Sequence, residues 1–159
     1  MPGWNHFDGQ GNARMVDVSE KAVTCREAEA SGTITMNRDA LEQILQKKIK
    51  KGDVLTVAQV AGIMAAKRTW ELIPMAHPLP LSGIALTFSV DEEHCTIAAR
   101  CTAKIEGKTG VEMEALTGVS VALLTIYDMA KGIDRGMALG QIRLEHKEGG
   151  QSGSYDREP

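Results

Sequence analysis

Residues 111–131, VEMEALTGVSVALLTIYDMAK, decide the fold of this 159-residue chain. Their spacing predicts the longest helix of the protein, which ends at Gly132 because glycine commonly terminates helices. Between residues 119 and 126 the helix is apolar nearly all the way round, and such a helix is buried on more than one side. In so small a domain this indicates that the helix also lies at an interface between subunits.

Strands are predicted on both sides of this helix. Alternating apolar residues over 84–90, a polar turn, and a returning segment over 95–106 are typical of a β-hairpin. Segments 24–36 and 139–147 each favour one further strand.

Two helices are predicted between the first strand and the hairpin. The first spans residues 37–52 and carries lysines in its last turn. The second begins after Asp53 and runs to about Trp70, and Gly62 lets another element approach it closely. The residues of this second helix that we expect to face the core are Val57, Val60, Ala61 and Met64.

This order of elements predicts an α+β fold that is ferredoxin-like, with a four-stranded antiparallel sheet and helices packed on one face. We expect a flexible N-terminal tail over 1–14, a single domain over 15–148 and a Gly-rich C-terminal tail over 149–159.

The composition argues against several classes of protein. A net charge of −3 and a pI of about 5.8 argue against nucleic-acid binding, which requires a basic excess. The N-terminus lacks the apolar core of a signal peptide, and the apolar stretch 119–127 is too short to span a membrane. Three cysteines without close pairing indicate reduced, buried thiols and a cytoplasmic protein. We expect no metal site, because histidines and cysteines do not occur at metal-binding spacings.

His77 is the first candidate for chemistry. Pro74, Pro78 and Pro80 restrict the surrounding loop and hold the imidazole in one place, as proton transfer or ligand binding requires. The alternative is an ordinary loop histidine at the edge of the core.

Asp128 and Lys131 are three residues apart and therefore share a face at the end of the long helix. They form either an exposed ion pair or an acid–base pair whose members tune each other's pKa. Lys51 is either a solvated charge or a group for phosphate binding or proton transfer, and desolvation near other cations would lower the pKa of such a lysine. Lys67 and Lys147 are further candidates for binding an anion.

Glu112 and Glu114 occupy the first turn of the long helix. They either compensate the helix dipole, or one of them accepts hydrogen bonds from the adjacent N–H and NH₂ groups of a guanine-like edge. Glu114 and Asp128 lie about 21 Å apart along the helix axis. A small ligand cannot contact both from one helix, so a shared pocket would require a neighbouring subunit.

Six segments, in order and without large gaps, closely resemble the cyclic pyranopterin monophosphate synthase family. The resemblance covers residues 14–155, and its most specific part is KTGVEMEALT at 108–117 followed by LTIYDMAK at 124–131. The remaining segments are MVDVS at 15–19, KGDV at 51–54, AGIMAAKRTWELIP at 61–74 and AHPL at 76–79.

The resemblance implies a ferredoxin-like enzyme that assembles as a homohexamer, a trimer of dimers. Its substrate would be 3′,8-cyclo-7,8-dihydroguanosine triphosphate, a GTP-derived molecule. This is rearranged to cyclic pyranopterin monophosphate with loss of pyrophosphate, as a lyase step of molybdenum cofactor biosynthesis that requires no metal or redox cofactor.

The same resemblance implies roles for individual residues. Asp128 would be the active-site acid and base, with Lys131 beside it and Lys51 as the second catalytic lysine. The residues that match the family's substrate-binding segments are Met75, Ala76, His77, Met113 and Glu114.

Two positions depart from the family pattern. Ala76 stands where the family usually has cysteine, so we expect this position to serve packing or backbone placement, or the enzyme to be slow. Gln151 stands where a lysine is usual, so one phosphate contact is expected to be missing or replaced by Lys147 or Arg157.

Three other functions fit parts of the sequence. A nucleotide-sensing module without catalysis would need His77 and Glu114 but not the lysines. A metal-dependent nucleotide phosphohydrolase would lose activity on treatment with EDTA. An RNA-binding ferredoxin-like domain is disfavoured by the acidic pI and by an aromatic content of only 4%.

Overall fold

The computed structural model describes residues 6–151 and 153–158. In this part of the chain the elements follow in the order β1 (Thr24–Thr35), α1 (Arg38–Leu45), α2 (Val54–Ala66), α3 (Thr69–Leu72), β2 (Gly83–Asp91), β3 (Thr96–Gly107), α4 (Glu112–Ala130), β4 (Ala138–Glu148) and β5 (Tyr155–Asp156). The predicted hairpin, long helix and flanking strands are therefore present.

All strands join one antiparallel sheet in the order β2-β3-β1-β4-β5. β1 is central and pairs with β3 over its whole length, from Thr24 opposite Gly107 to Thr35 opposite Thr96. The predicted α+β class is confirmed, but the predicted count of four strands is wrong. The fifth strand lies in the segment expected to be a tail, because β5 pairs with the end of β4.

Part of the expected N-terminal tail, residues 6–14, falls within the described residues. Residues 1–5 of the expected tail lie outside the described residues. From His6 onward the chain forms a small loop, in which Phe7 bridges Ala13 and the Asp8 carboxylate accepts hydrogen bonds from the backbone N–H groups of Gln10 and Asn12. Residues 6–14 are therefore folded back on themselves.

The core lies between the sheet and α4. Strands β1 and β3 present small, fully buried residues to α4, among them Ala28, Ala30, Ala99 and Ala103. α4 packs against this face and in turn is covered by α2. The helices thus occupy one face of the sheet, as predicted from the order of elements.

α2 and α4 cross at glycines. A Cβ atom built on Gly62 would lie 2.7 Å from the backbone oxygen of Gly118, so only glycine permits this approach. The close approach predicted at Gly62 is therefore confirmed. Because the sheet and α2 cover α4 from opposite sides, most of its apolar surface is buried within one chain; the exceptions are Leu124, which is 55% exposed, and Met113, which is 39% exposed.

The predicted core face of α2 is wrong for three of its four residues, whereas Ala61 is half-buried. Val57, Val60 and Met64 are between 42% and 52% exposed. The buried residues of this helix are instead Val54, Ala58, Gly62 and Ala66. The close crossing explains the difference, since it admits small side chains and turns the larger ones outward.

The ends of the first two helices also differ from prediction. Asn37 caps α1 as expected, with its side chain accepting from the N–H of Ala40. However, α1 ends at Leu45, because Lys47 adopts a left-handed backbone conformation (φ 54°). α2 ends at Ala66 and is followed by the separate turn α3.

By length and composition alone, α4 could cross a membrane, whereas the apolar stretch within it was expected to be too short. Within the fold, 56% of its most apolar window is buried. A core helix has the same composition, so this is weak evidence for a membrane span.

The cysteines differ in environment. Cys101 is buried, and its burial raises the thiol pKa to about 11. Cys25 is exposed and Cys95 half-buried, so the expectation of three buried thiols holds only for Cys101.

Candidate active site

A cavity of about 620 Å³ lies between the proline-rich loop and the first turn of α4. The predicted substrate-binding residues that line it are Met75, Ala76, His77, Glu112, Met113 and Glu114. Two segments that are 35 positions apart in the sequence, from His77 to Glu112, thus meet at one site, because α4 starts beside the loop that follows α3.

A third wall of this cavity comes from the segment before β1. Val16, Val18 and Lys21 line it, although sequence reasoning assigned these residues no role. The resemblance at 15–19 was the available signal, but only the fold shows that this segment faces the loop. Lys108 fixes the segment, because its Nζ donates to the Ser19 carbonyl at 2.6 Å.

The imidazole of His77 is held by this segment. Its Nε2 lies 2.9 Å from the backbone carbonyl oxygen of Val16. A carbonyl only accepts hydrogen bonds, so Nε2 carries a proton, and in the neutral imidazole Nδ1 is left as an acceptor. The backbone contact thus selects one tautomer at the cavity wall.

Glu114 is the buried ionisable group of the cavity. The residue is only 4% exposed to solvent. Burial, with a smaller contribution from the negative charge of Glu112, raises the pKa of this carboxyl to about 7, although a hydrogen bond from its own backbone N–H acts in the opposite direction. Among the described residues, no other side chain forms a hydrogen bond or ion pair with it. The site therefore offers a carboxyl group with unfilled hydrogen-bonding capacity.

Asp128 joins two lysines at the opposite end of α4. Its Oδ1 lies 2.7 Å from Lys131 Nζ and its Oδ2 lies 3.2 Å from Lys51 Nζ. Lys51 also donates to the backbone oxygen of Asp128 at 2.8 Å. The three predicted catalytic residues therefore form one cluster, which the positive φ of Gly52 and the cap at Asp53 help to place at the end of α4.

The cluster is exposed and strongly coupled by charge. Hydrogen bonds from Lys131 and Lys51 lower the pKa of Asp128, and Asp128 raises the pKa of Lys131. Asp128 therefore stabilises the charged form of Lys131.

A second cavity, of about 560 Å³, opens beside this cluster. It is rich in cations, which lets it receive a negatively charged group. The basic residues that line it are Lys48, Lys50, Lys51, Lys131 and Arg135.

The two groups of predicted site residues do not meet within one chain. Glu114 and Asp128 belong to the same unbroken helix, α4, so they are separated by about 21 Å along its axis. The cavity that Glu114 lines contains none of the Asp128 cluster, and the cavity beside Lys51 contains none of the substrate-binding loop.

Three further predicted residues lie away from both cavities. Lys67 is exposed and caps the C-terminus of α2. Lys147 lies on β4 opposite Ala28 of β1. Arg157 donates from Nε to the carbonyl of Leu144 at 2.8 Å, so it stabilises the pairing of the C-terminal segment with β4.

The structure contains no candidate metal cluster within residues 6–151 and 153–158: no group of three or more His, Cys, Asp or Glu side chains there could hold an ion.

Comparison with known proteins assigns this chain to a family. The MoaC family model matches residues 15–150, which include the Asp128 cluster and every residue lining the two cavities except His6. The chain belongs to the MoaC family. Membership accounts for the order of the six motif segments, because all of them lie within the matched region.

Relatives within the MoaC family are similar over nearly their whole length. A protein from Heliobacterium modesticaldum is 58% identical over 153 residues, covering 96% of each chain. One from Brevibacillus brevis is 57% identical over 152 residues, covering 96% of this chain and 94% of the relative. One from Geobacter sulfurreducens is 53% identical, covering 98% and 97%. Each is named a cyclic pyranopterin monophosphate synthase.

Proposed function

We propose that this chain is a cyclic pyranopterin monophosphate synthase of molybdenum cofactor biosynthesis. It converts 3′,8-cyclo-7,8-dihydroguanosine triphosphate into cyclic pyranopterin monophosphate and pyrophosphate. The observation that carries this proposal is the buried carboxyl of Glu114, to which no other side chain is bonded, in the cavity beside Met75–His77. Family membership and relatives at 53–58% identity support the same activity.

Glu114 fits the base of this substrate. A guanine-like edge presents an N–H and an NH₂ side by side, and a carboxylate accepts both with its two oxygens. The cavity walls around it are largely apolar, with Met75, Ala76 and Val16 among the lining residues, and this suits the faces of a flat heterocycle. His77, with one tautomer selected, offers an acceptor to a polar atom of the ligand.

The cluster of Asp128, Lys51 and Lys131 fits the proton transfers of the rearrangement. Opening one ring of the base and closing another requires protons to leave and arrive at several atoms, and a carboxylate between two ammonium groups can exchange them. The attacking hydroxyl and the phosphate belong to the same molecule, so formation of the cyclic phosphate depends chiefly on orientation. A substrate phosphate that withdraws Lys131 from Asp128 would remove the cause of its raised pKa.

We infer that the complete site combines residues of two subunits. The separation of Glu114 from Asp128 along α4 supports this. The two groups lie about 21 Å apart on one helix, and a small substrate cannot contact both. A second chain must therefore supply one of them. The exposed apolar side chains of Val57, Val60 and Met64 provide surface for association. We propose a homohexamer built as a trimer of dimers, acting in the cytoplasm as one catalytic domain over 15–148.

The activity is tested by incubating the purified protein with the cyclised GTP derivative. The expected products are pyrophosphate and a pterin, which is detected by fluorescence after oxidation and by mass. Absence of both products, with a correctly folded protein, would contradict the proposed activity. A nucleotide-sensing module would bind the substrate without releasing pyrophosphate.

The shared site is tested by mixing two inactive variants, Glu114→Gln and Lys131→Ala. If each site takes Glu114 from one subunit and Lys131 from the other, a mixed dimer has one site with both changes and one site with neither. Random mixing at equal amounts then restores about a quarter of the wild-type activity. Sites contained within single chains would show no recovery.

A further inference from the structure

The C-terminal segment is held against the outer edge of the sheet by few contacts. Within the described residues, β5 pairs with β4 through two residue pairs. Arg157 adds two hydrogen bonds at 2.8 Å, from its backbone N–H to the carbonyl of Glu145 and from its Nε to the carbonyl of Leu144. Because so short a strand is only marginally stable, one further side-chain contact can change how much of the time it stays in place.

The two strands are also joined by a contact between ionisable side chains. His146 of β4 lies opposite Asp156 of β5, and its Nδ1 is 2.7 Å from Asp156 Oδ1. On the other side of β4, His146 lies opposite Glu29 of β1. Glu148 is two residues further along β4, with its Oε2 4.0 Å from His146 Nε2. The imidazole is therefore placed between carboxylates of neighbouring strands, which favour its protonated form.

The surrounding charges leave these carboxylates to His146. Its hydrogen bond to Asp156 is the largest cause that raises its pKa above the usual 6.5, although desolvation acts in the opposite direction. The carboxylates whose charges also raise this pKa are Asp156, Glu148 and Glu27. Lys147 occupies the alternate position of β4 and therefore faces the other side of the sheet. Four nearby basic side chains are paired with other carboxylates, namely Lys104 with Glu27, Arg100 with Glu29, and Arg143 and Arg157 with Glu145.

We propose that His146 and Asp156 form a pH-dependent clasp, which holds the C-terminal segment against β4 at acidic pH and loosens it as pH rises. With the segment in place the pKa of His146 is raised, so the bond to Asp156 stabilises this state fully below about pH 6.5, the pKa of a free imidazole. That stabilisation is lost as pH rises through the raised pKa. The clasp goes beyond the proposed function and does not depend on it.

The expected effect is modest, because water reaches both partners of the clasp. The side chain of His146 is 30% exposed and that of Asp156 is 76% exposed. Exposed ion pairs typically change an equilibrium about two- to fivefold. Among the described residues, β5 is the strand that covers the outer edge of β4. Loosening the clasp therefore leaves the end of β4 as an unpaired strand edge.

Hydrogen exchange of the Arg157 amide in the intact protein tests the clasp, because this N–H is bonded to Glu145 only while the segment is in place. After correction for the intrinsic exchange rate, protection in the wild type should be about two- to fivefold greater at pH 5.5 than at pH 8.5. Asp156→Asn should show low protection at both pH values. His94→Gln is the matched control, because His94 makes the same bond to Asp91 at 2.8 Å in the turn between β2 and β3, and it should keep the wild-type pH dependence. Equal wild-type protection at the two pH values, or a pH dependence that persists in Asp156→Asn, overturns the proposal.

Two further measurements identify the group that titrates. His146→Lys carries a cation that stays protonated beyond pH 8.5, so this variant should keep high protection of the Arg157 amide at both pH values. A loss at pH 8.5 equal to that of the wild type would assign the pH dependence to another group and overturn the proposal. NMR titration of the wild-type imidazoles requires no variant to fold. His146 should titrate above pH 6.5, and titration at or below that value also overturns the proposal.

Discussion

Replacing Glu114 by glutamine should make the protein more stable and less active at neutral to alkaline pH. Burial raises the pKa of this carboxyl from 4.5 to about 7. At about 1.36 kcal/mol per pKa unit, the cost of ionising it in the folded protein is at most about 3.4 kcal/mol. Its oxygens border a cavity that water can enter, so we expect about 1–2 kcal/mol in practice.

The sign of the pH dependence follows from the direction of the shift. The pKa is higher in the folded than in the unfolded protein, so the folded state retains its proton over a range in which the unfolded state loses it. Wild-type stability is therefore lost as pH rises from about 4.5 to about 7, and it is not regained above that. Glutamine cannot ionise, so Glu114→Gln does not lose this stability.

Urea denaturation at one fixed protein concentration, at pH 4 and at pH 8, measures the effect. Glu114→Gln should match the wild type at pH 4 and exceed it by about 1–2 kcal/mol at pH 8. Glu42→Gln, an exposed change on α1, is the control and should alter stability by less than about 0.5 kcal/mol at either pH. A stability gap at pH 8 that is absent or reversed would show that the carboxylate is ionised and paired, and would refute the reasoning.

The same variant should lose activity. An amide offers one acceptor oxygen in place of two, and its NH₂ group faces the NH₂ of a guanine-like edge. We expect kcat/KM to fall about 100-fold, which corresponds to one or two lost charge-assisted hydrogen bonds. Glu42→Gln should retain wild-type kinetics.

Three other predictions follow from the structure. Lys131→Ala removes one partner of Asp128 and should lower turnover at least about 100-fold. The oligomer, measured by sedimentation, should stay intact. Disassembly would instead show that Lys131 has a structural role. Gly62→Ala should lower the free energy of unfolding, measured by urea denaturation, by about 1–3 kcal/mol, because the added Cβ would meet the Gly118 oxygen. Gly132→Ala is the control and should be neutral or stabilising, since nothing lies within 4 Å of its added Cβ. Equal effects of the two changes would contradict the close helix crossing. Dialysis against EDTA should leave pyrophosphate release unchanged, and a loss restored by a divalent cation would favour a metal-dependent phosphohydrolase.

Local sequence patterns correctly predicted much of the fold. The alternation of residues in the hairpin and the length of the helix over 111–131 each follow from neighbouring residues, and both elements are present as β2, β3 and α4. The face of α2 could not be predicted in this way. Its apolar residues cover more than one face, and the choice between Val57 and Ala58 depends on how closely α4 approaches.

For the site, the sequence by itself determined the family and the residue types: the loop at Met75–His77, the two glutamates at the start of α4 and the cluster at its end. Only the tertiary structure decided that Glu114 is buried with no other side chain bonded to it, and that Asp128 bridges two lysines. The physical reason is that burial and pairing are set by groups far apart in the chain. Lys51 and Asp128 are 77 residues apart, and no local pattern encodes their distance of 3.2 Å.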